Sequence, residues 1–168
     1  MGEVINLFKR MGGKQMPSIY DVANYFVTKG NCEAEDPITP LKLQKLCYYA
    51  QAWSMVWDGQ ELFKEDFQAW VHGPANYKLY KKYNDVSMNS TICTVDEDFN
   101  INIFREMQIE TLDSVWEAYG KFVGSYLEQL THQERPWKQT RGNLPPGMGC
   151  DKVIPKSLMR DFYSELNG

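Results

Sequence analysis

Cys47, with either His72 or His132 as a base, has the residue types of a thiol nucleophile and its proton acceptor. Such a thiol must ionise, which takes an electropositive and partly exposed setting. Cys47 instead falls within an apolar stretch, where a small thiol packs as a hydrophobe. A Cys/His hydrolase is therefore the third-ranked reading. Paired carboxylates are the other candidate chemistry. Glu61, Glu65, Asp66 and the run Asp96, Glu97, Asp98 would need to meet in a cleft with their pKa values driven apart, and their polar surroundings read as surface charge. The cysteines, Cys32, Cys47, Cys93 and Cys150, form no CxxC pair, so a zinc site is not supported. No nucleotide-binding, hydrolase-elbow, metalloprotease or calcium-loop motif occurs. No catalytic residue is assigned, and neither a cofactor nor a metal is expected.

The densest polar cluster is "LTHQERPWKQTR", Leu130 to Arg141. It reads first as a structural lock. His132 would sit near a helix end, where a partial positive charge meets C-terminal carbonyls. Pro136 would stop that helix. Trp137 would plug the core, and Arg141 would pair with Glu134 or with loop carbonyls. The competing reading is partner recognition, because Trp and Arg dominate binding hot spots.

Several elements must position these residues. Ser18 with Asp21 is a capping-box start for a helix carried by Ile19, Val22, Ala23, Phe26 and Val27, and Gly30 stops it. Thr39 caps a second helix with Pro40 at its first position. In that helix Leu43, Leu46, Cys47, Ala50, Trp53 and Trp57 share one arc, and Leu41, Tyr48, Ala52, Met55 and Val56 share another. Lys42, Lys45, Gln44 and Gln51 separate them. A helix apolar on two faces is packed from both sides, so this one is the expected centre of the fold. A short strand or hairpin is expected near 66–72, ended by Gly73-Pro74, with a helix after it through Tyr77, Leu79, Tyr80 and Tyr83. Residues 84–103 read as a mobile or length-variable segment with an extended piece near 91–95. Leu112, Val115, Trp116, Tyr119, Phe122 and Val123 predict the next helix, stopped by Gly124. Ser125 with Glu128 predicts a capping box for the one after. Pro155 opens a last helix carried by Leu158, Phe162 and Leu166. The sum is a mainly α protein with a small β element. Residues 1–15 form an N-terminal extension, and 16–168 a single compact helical domain.

The chain has 168 residues, a net charge of −4 and 43% hydrophobic content. The acidic balance argues against duplex DNA as a partner, and Lys78, Lys81 and Lys82 read as a solvated helix face. No apolar run reaches the roughly 20 residues that span a bilayer. The expected setting is the cytoplasm, without membrane association, and with reduced thiols.

Four blocks carry a family resemblance: "TPLKLQKLCYYAQAW" (39–53), "FQAWVHGPANYKLY" (67–80), "LDSVWEAYGKF" (112–122) and "LTHQERPWKQTR" (130–141). In this order the chain resembles the Panacea, or SocA-like, antitoxin domain family, also known as phage-associated or GepA-like proteins. Its signature positions fall on Leu43, Gln44, Lys45, Leu46, Tyr48, Tyr49, Ala50 and Trp53, then on Ala69, Trp70, Gly73 and Pro74, then on Leu130, Thr131, His132, Pro136, Trp137 and Arg141. His72 stands where an aromatic is common, Ala75 where valine is usual, and residues 1–15 lie outside the pattern. The resemblance implies a non-enzymatic helical protein of phages and mobile elements that neutralises a co-encoded protein toxin by direct contact. It also implies a possible second partner, the ClpXP protease, to which an adaptor delivers the toxin. The alternative function is a counter-defence protein that binds a host defence or housekeeping protein. Binding to its own promoter is a further, disfavoured reading.

Overall fold

The computed structural model describes residues 15–168, so the expected N-terminal extension, 1–15, lies outside the described residues except for Gln15. Helix α1 spans Ile19–Lys29 and α2 spans Pro40–Trp57. A hairpin of β1 (Gln68–Trp70) and β2 (Gly73–Ala75) follows, then α3 (Tyr77–Lys82). A 3-10 turn at Ile101–Ile103 leads into α4 (Glu106–Tyr119), α5 (Gly124–Gln133), α6 (Arg135–Arg141) and α7 (Lys156–Asn167). The fold is mainly α with one small antiparallel sheet.

Local chemistry sets the helix starts where it was legible. Ser18 and Asp21 form the reciprocal capping box of α1, and Thr39 caps α2 through Lys42 N–H with Pro40 in the first turn. Helix α2 is the axle of the molecule, with α1, α4, α5, α7 and β2 packed around it. Every residue from Leu41 to Met55 is buried. The apolar arcs account for most of that run, but Lys42, Gln44, Lys45 and Gln51 are buried as well. An unpaired charge in such a place costs several kcal/mol, about as much as burying two large apolar side chains returns. Each is therefore partnered. Lys42 Nζ donates to the carbonyls of Asp36 (2.8 Å) and Gly120 (2.5 Å), the latter at the C-terminal end of α4, where a cation suits the helix dipole. Gln51 bridges the Phe63 carbonyl and the Leu62 N–H.

Several sequence expectations are corrected. Gly73-Pro74 does not break the β element; it forms the second strand, in the register Gln68 to Ala75, Ala69 to Pro74 and Trp70 to Gly73. No strand forms at 91–95, because the Ile92 N–H finds only the single carbonyl of Ile38. Helix α4 ends at Gly120, so Phe122 and Val123 fall in the connection, and Gly124 begins α5 rather than stopping α4. Ser125 and Glu128 make no capping box, since Ser125 lies inside the helix and Val123 takes the cap position. Pro136 starts α6 instead of merely stopping α5, its missing N–H being harmless in a first turn. Met159 and Tyr163 carry the buried face of α7, whereas Leu166 is 58% exposed. The expected free thiols are also corrected in part: Cys32 and Cys93 are disulfide-bonded, and Cys47 and Cys150 are free.

Candidate partner-binding groove

The hairpin is held by side chains from three directions, each reaching its backbone. Gln44 Nε2 donates to the Asn76 carbonyl (3.0 Å), while the Asn76 N–H donates to Gln44 Oε1 (2.8 Å). Lys45 Nζ donates to the Pro74 carbonyl at 2.9 Å. Trp137 Nε1 donates to the Trp70 carbonyl (2.7 Å), and Arg141 Nη1 to the Ala69 carbonyl (2.8 Å). Arg141 Nη2 also gathers the carbonyls of Pro145, Pro146 and Met148, so the loop after α6 is drawn in by the same guanidinium. Of the two partners open to Arg141, it takes the carbonyls. Glu134 instead accepts from the hydroxyls of Tyr49 (2.5 Å) and Tyr163 (3.2 Å).

Gly73 shows why the frame tolerates so little change. Its φ is +92°, and a Cβ there would lie 2.6 Å from Thr131 Oγ1 and 2.9 Å from Lys45 Cε. Only a residue without a side chain lets α5 and Lys45 approach this closely. Pro136 is buried in the first turn of α6, and Leu130 is half-buried against the core. His132 stacks on Trp137 with ring centroids 4.1 Å apart, and the Arg141 guanidinium lies 4.8 Å from the Trp137 ring. Burial holds the His132 imidazole below its ordinary pKa. The ring therefore sits toward its neutral form, in the last turn of α5 where the sequence placed it. Leu43, Leu46 and Ala50 are buried apolar packing. The Tyr48 and Tyr163 hydroxyls lie 3.2 Å apart, and Trp53 Nε1 donates to the Tyr119 hydroxyl.

Burial dominates the electrostatics of this frame. It lowers Lys45 to about 7, with Glu128 opposing, and raises Glu134 to about 7, with its two tyrosine donors opposing. Cys47 is wholly buried and its thiol is pushed well up by the same desolvation. Neither histidine bonds to it: His72 Nδ1 lies 2.8 Å from Glu128 Oε1, and His132 is engaged with Trp137. The arrangement offers a thiolate no stabilising partner.

In front of the frame lies an open groove of about 1070 Å³. Its floor is the first turns of α2 with Gln44 and Lys45, one wall is the hairpin, and the other is α3 with the segment through Val86 and Met88. Tyr77 is 55% and Tyr80 49% exposed on the rim. Tyr80 meets Trp70 edge-on at 5.3 Å and stacks on Tyr77 at 6.3 Å, so the rim aromatics brace one another. The helical spacing of Tyr77, Leu79, Tyr80 and Tyr83 located α3 but not its outward face, for only Leu79 is buried. Lys81 Nζ lies 5.7 Å from the Tyr77 ring, and Lys82 pairs with Asp96. An exposed, pre-arranged aromatic rim is what protein interfaces use for anchorage. Among the described residues no helix is long and apolar enough to cross a membrane, and no three metal-ligating side chains converge.

The family profile described as "Antitoxin SocA-like, Panacea domain" matches residues 43–138, from the first turn of α2 to the middle of α6. Arg141 lies three residues beyond that span. A curated relative, "Antitoxin SocA" of Caulobacter vibrioides, is 27% identical over 150 residues, covering 79% of this chain and 78% of that protein. No solved structure matches. The matched span encloses the axle, the hairpin and the helices that clamp it, and on that match the chain belongs to the SocA-like Panacea antitoxin family.

Proposed function

We propose that this protein neutralises a co-encoded protein toxin by binding it directly, in the cytoplasm, with the groove between the hairpin and α3 as the contact surface. The observation that carries the reading is the placement of Trp70, Tyr77 and Tyr80 on an exposed rim whose backbone is fixed from behind by Gln44, Lys45, Trp137 and Arg141. A rim pre-ordered in this way loses little entropy when a partner docks. Helix α3 carries Lys78 and Lys81 beside the rim, within a chain of net charge −4. The partner segment that suits it is apolar with acidic neighbours. The signature residues act chiefly as the frame, and toxin specificity lies in the exposed rim.

The test is co-expression with the product of the adjacent open reading frame. Wild type restores growth and co-purifies with the toxin. The Tyr77→Ala/Tyr80→Ala double variant, folded by circular dichroism, binds at least about tenfold more weakly, as expected for hot-spot aromatics. Unchanged binding by that variant overturns the groove, and failure of wild type to rescue overturns the antitoxin role. Toxin half-life measured with and without ClpXP separates simple occlusion from delivery: delivery shortens it only when the protease is present.

A further inference from the structure

We propose that Cys32 and Cys93 form a reversible dithiol–disulfide site whose oxidised state pins the loop wall of the groove. The two residues are bonded, with Cα atoms 5.7 Å apart, and both lie at the surface. That separation is ordinary for a disulfide, so making or breaking the bond asks for no backbone rearrangement. Small thiols can reach both sulfurs, unlike the buried Cys47.

The bond joins the loop after α1 to the segment between α3 and the 3-10 turn. That segment has no helix or strand of its own between Tyr83 and Asn100. It is fastened at three other places. The Leu41 N–H, one of the donors left over at the start of α2, bonds to the Met88 carbonyl (3.1 Å). The Ile92 N–H bonds to the Ile38 carbonyl (2.8 Å). Asp96 takes Asn24 and Lys82. Cys93 is the residue next to Ile92, and Val86 and Met88 of the same segment face the groove. The disulfide thus lies between the second and third fastenings, where it limits how far the wall can lift.

The chemistry balances with oxidised glutathione as the electron acceptor. One cysteine thiolate attacks its S–S bond and releases one glutathione thiolate, leaving a mixed disulfide. The second cysteine thiolate attacks that bond and releases the other glutathione. Two electrons pass to glutathione disulfide and two protons pass from the cysteines to solvent. Reduced glutathione reverses both steps. In a compartment kept reducing, such a bond is a transient, responsive one rather than a permanent strut.

The test equilibrates the full chain across glutathione redox ratios, traps free thiols by alkylation, maps them by mass spectrometry, and follows amide exchange. Cys32 and Cys93 should titrate together, and the Leu41 and Ile92 amides should exchange about tenfold more slowly in the oxidised form. Cys32→Ser and Cys93→Ser should each hold the faster rate at every ratio. Cysteines that never pair, that pair with Cys150 instead, or that pair without slowing Ile92 overturn the proposal. Any effect on toxin affinity rests on the groove reading; the Tyr77→Ala/Tyr80→Ala variant tests that alone, and the exchange experiment needs no toxin.

Discussion

Gln44 and Asn76 join the central helix to the hairpin through both ends of one carboxamide, which gives a hydrogen bond to the Asn76 carbonyl and takes one from the Asn76 N–H. Both residues are buried, so no solvent replaces these bonds when one partner is lost. Gln44→Leu, which fills similar space, strands the Asn76 N–H and leaves the Asn76 carbonyl with only the Tyr80 N–H, and should cost roughly 1–3 kcal/mol. Gln44→Glu keeps the acceptor but turns a carboxylate oxygen toward a carbonyl, so it should also destabilise. Urea denaturation measures both. A Leu variant within about 0.5 kcal/mol of wild type would mean that the hairpin is held elsewhere.

The axle and the capping residues were readable because they follow periodicity and local hydrogen-bonding chemistry. Ser18, Thr39 and Pro40 announce helix starts with no help from the rest of the chain. The polar half of the frame was not readable in this way. Lys42 and Lys45 look like solvent-facing separators until the carbonyls of Gly120 and Pro74 are seen to receive them, and those acceptors lie 78 and 29 residues away. The β2 strand was hidden for a related reason. Gly73-Pro74 is a breaker by local rule; pairing with β1 makes it a strand, and the Lys45 bond and the tight approach of Thr131 hold it there. Tyr77 and Tyr80 share helical spacing with the buried Leu79, so their outward aim depends on where the hairpin lies.

Glu134 and Lys45 give the protein opposed pH dependences. Burial raises Glu134 from its ordinary 4.5 to about 7, so the folded state holds this proton more tightly than the unfolded chain. The stabilisation is complete below about pH 4.5 and is lost as pH rises toward 7, an effect on the order of 3 kcal/mol. Lys45 is lowered from 10.5 to about 7, so its burial cost is full below 7 and is relieved as pH climbs toward 10.5. Glu134→Gln, which can still accept from Tyr49 and Tyr163, should remove the loss between pH 5 and 7 and leave the alkaline gain. Denaturation at pH 5, 7 and 9 decides it; parallel curves for wild type and variant would refute the assignment.

Gly73→Ala combines two penalties. The backbone there has a positive φ, and the new Cβ meets Thr131 Oγ1 and Lys45 Cε inside van der Waals distance. A loss of about 2–4 kcal/mol follows. Thr131→Ala in the same chain removes one of the two contacts and should restore only part of that loss. Full restoration would show that the hydroxyl alone is the obstacle; no loss in the single variant would show that the hairpin turns differently.

Cys47→Ala separates a binding protein from a thiol enzyme. The side chain is wholly buried on the axle, and desolvation pushes its thiol far from ionisation at neutral pH. Removing one sulfur from a packed site should cost about 1 kcal/mol in stability. Toxin rescue in cells should be unchanged, because nothing the partner touches has moved. Iodoacetamide should leave Cys47 unmodified in the native protein and label it after unfolding, with the half-buried free Cys150 as the internal comparison. A folded Cys47→Ala protein that no longer rescues growth, together with rapid native labelling of the wild type at Cys47, would raise the nucleophile reading from third place to first.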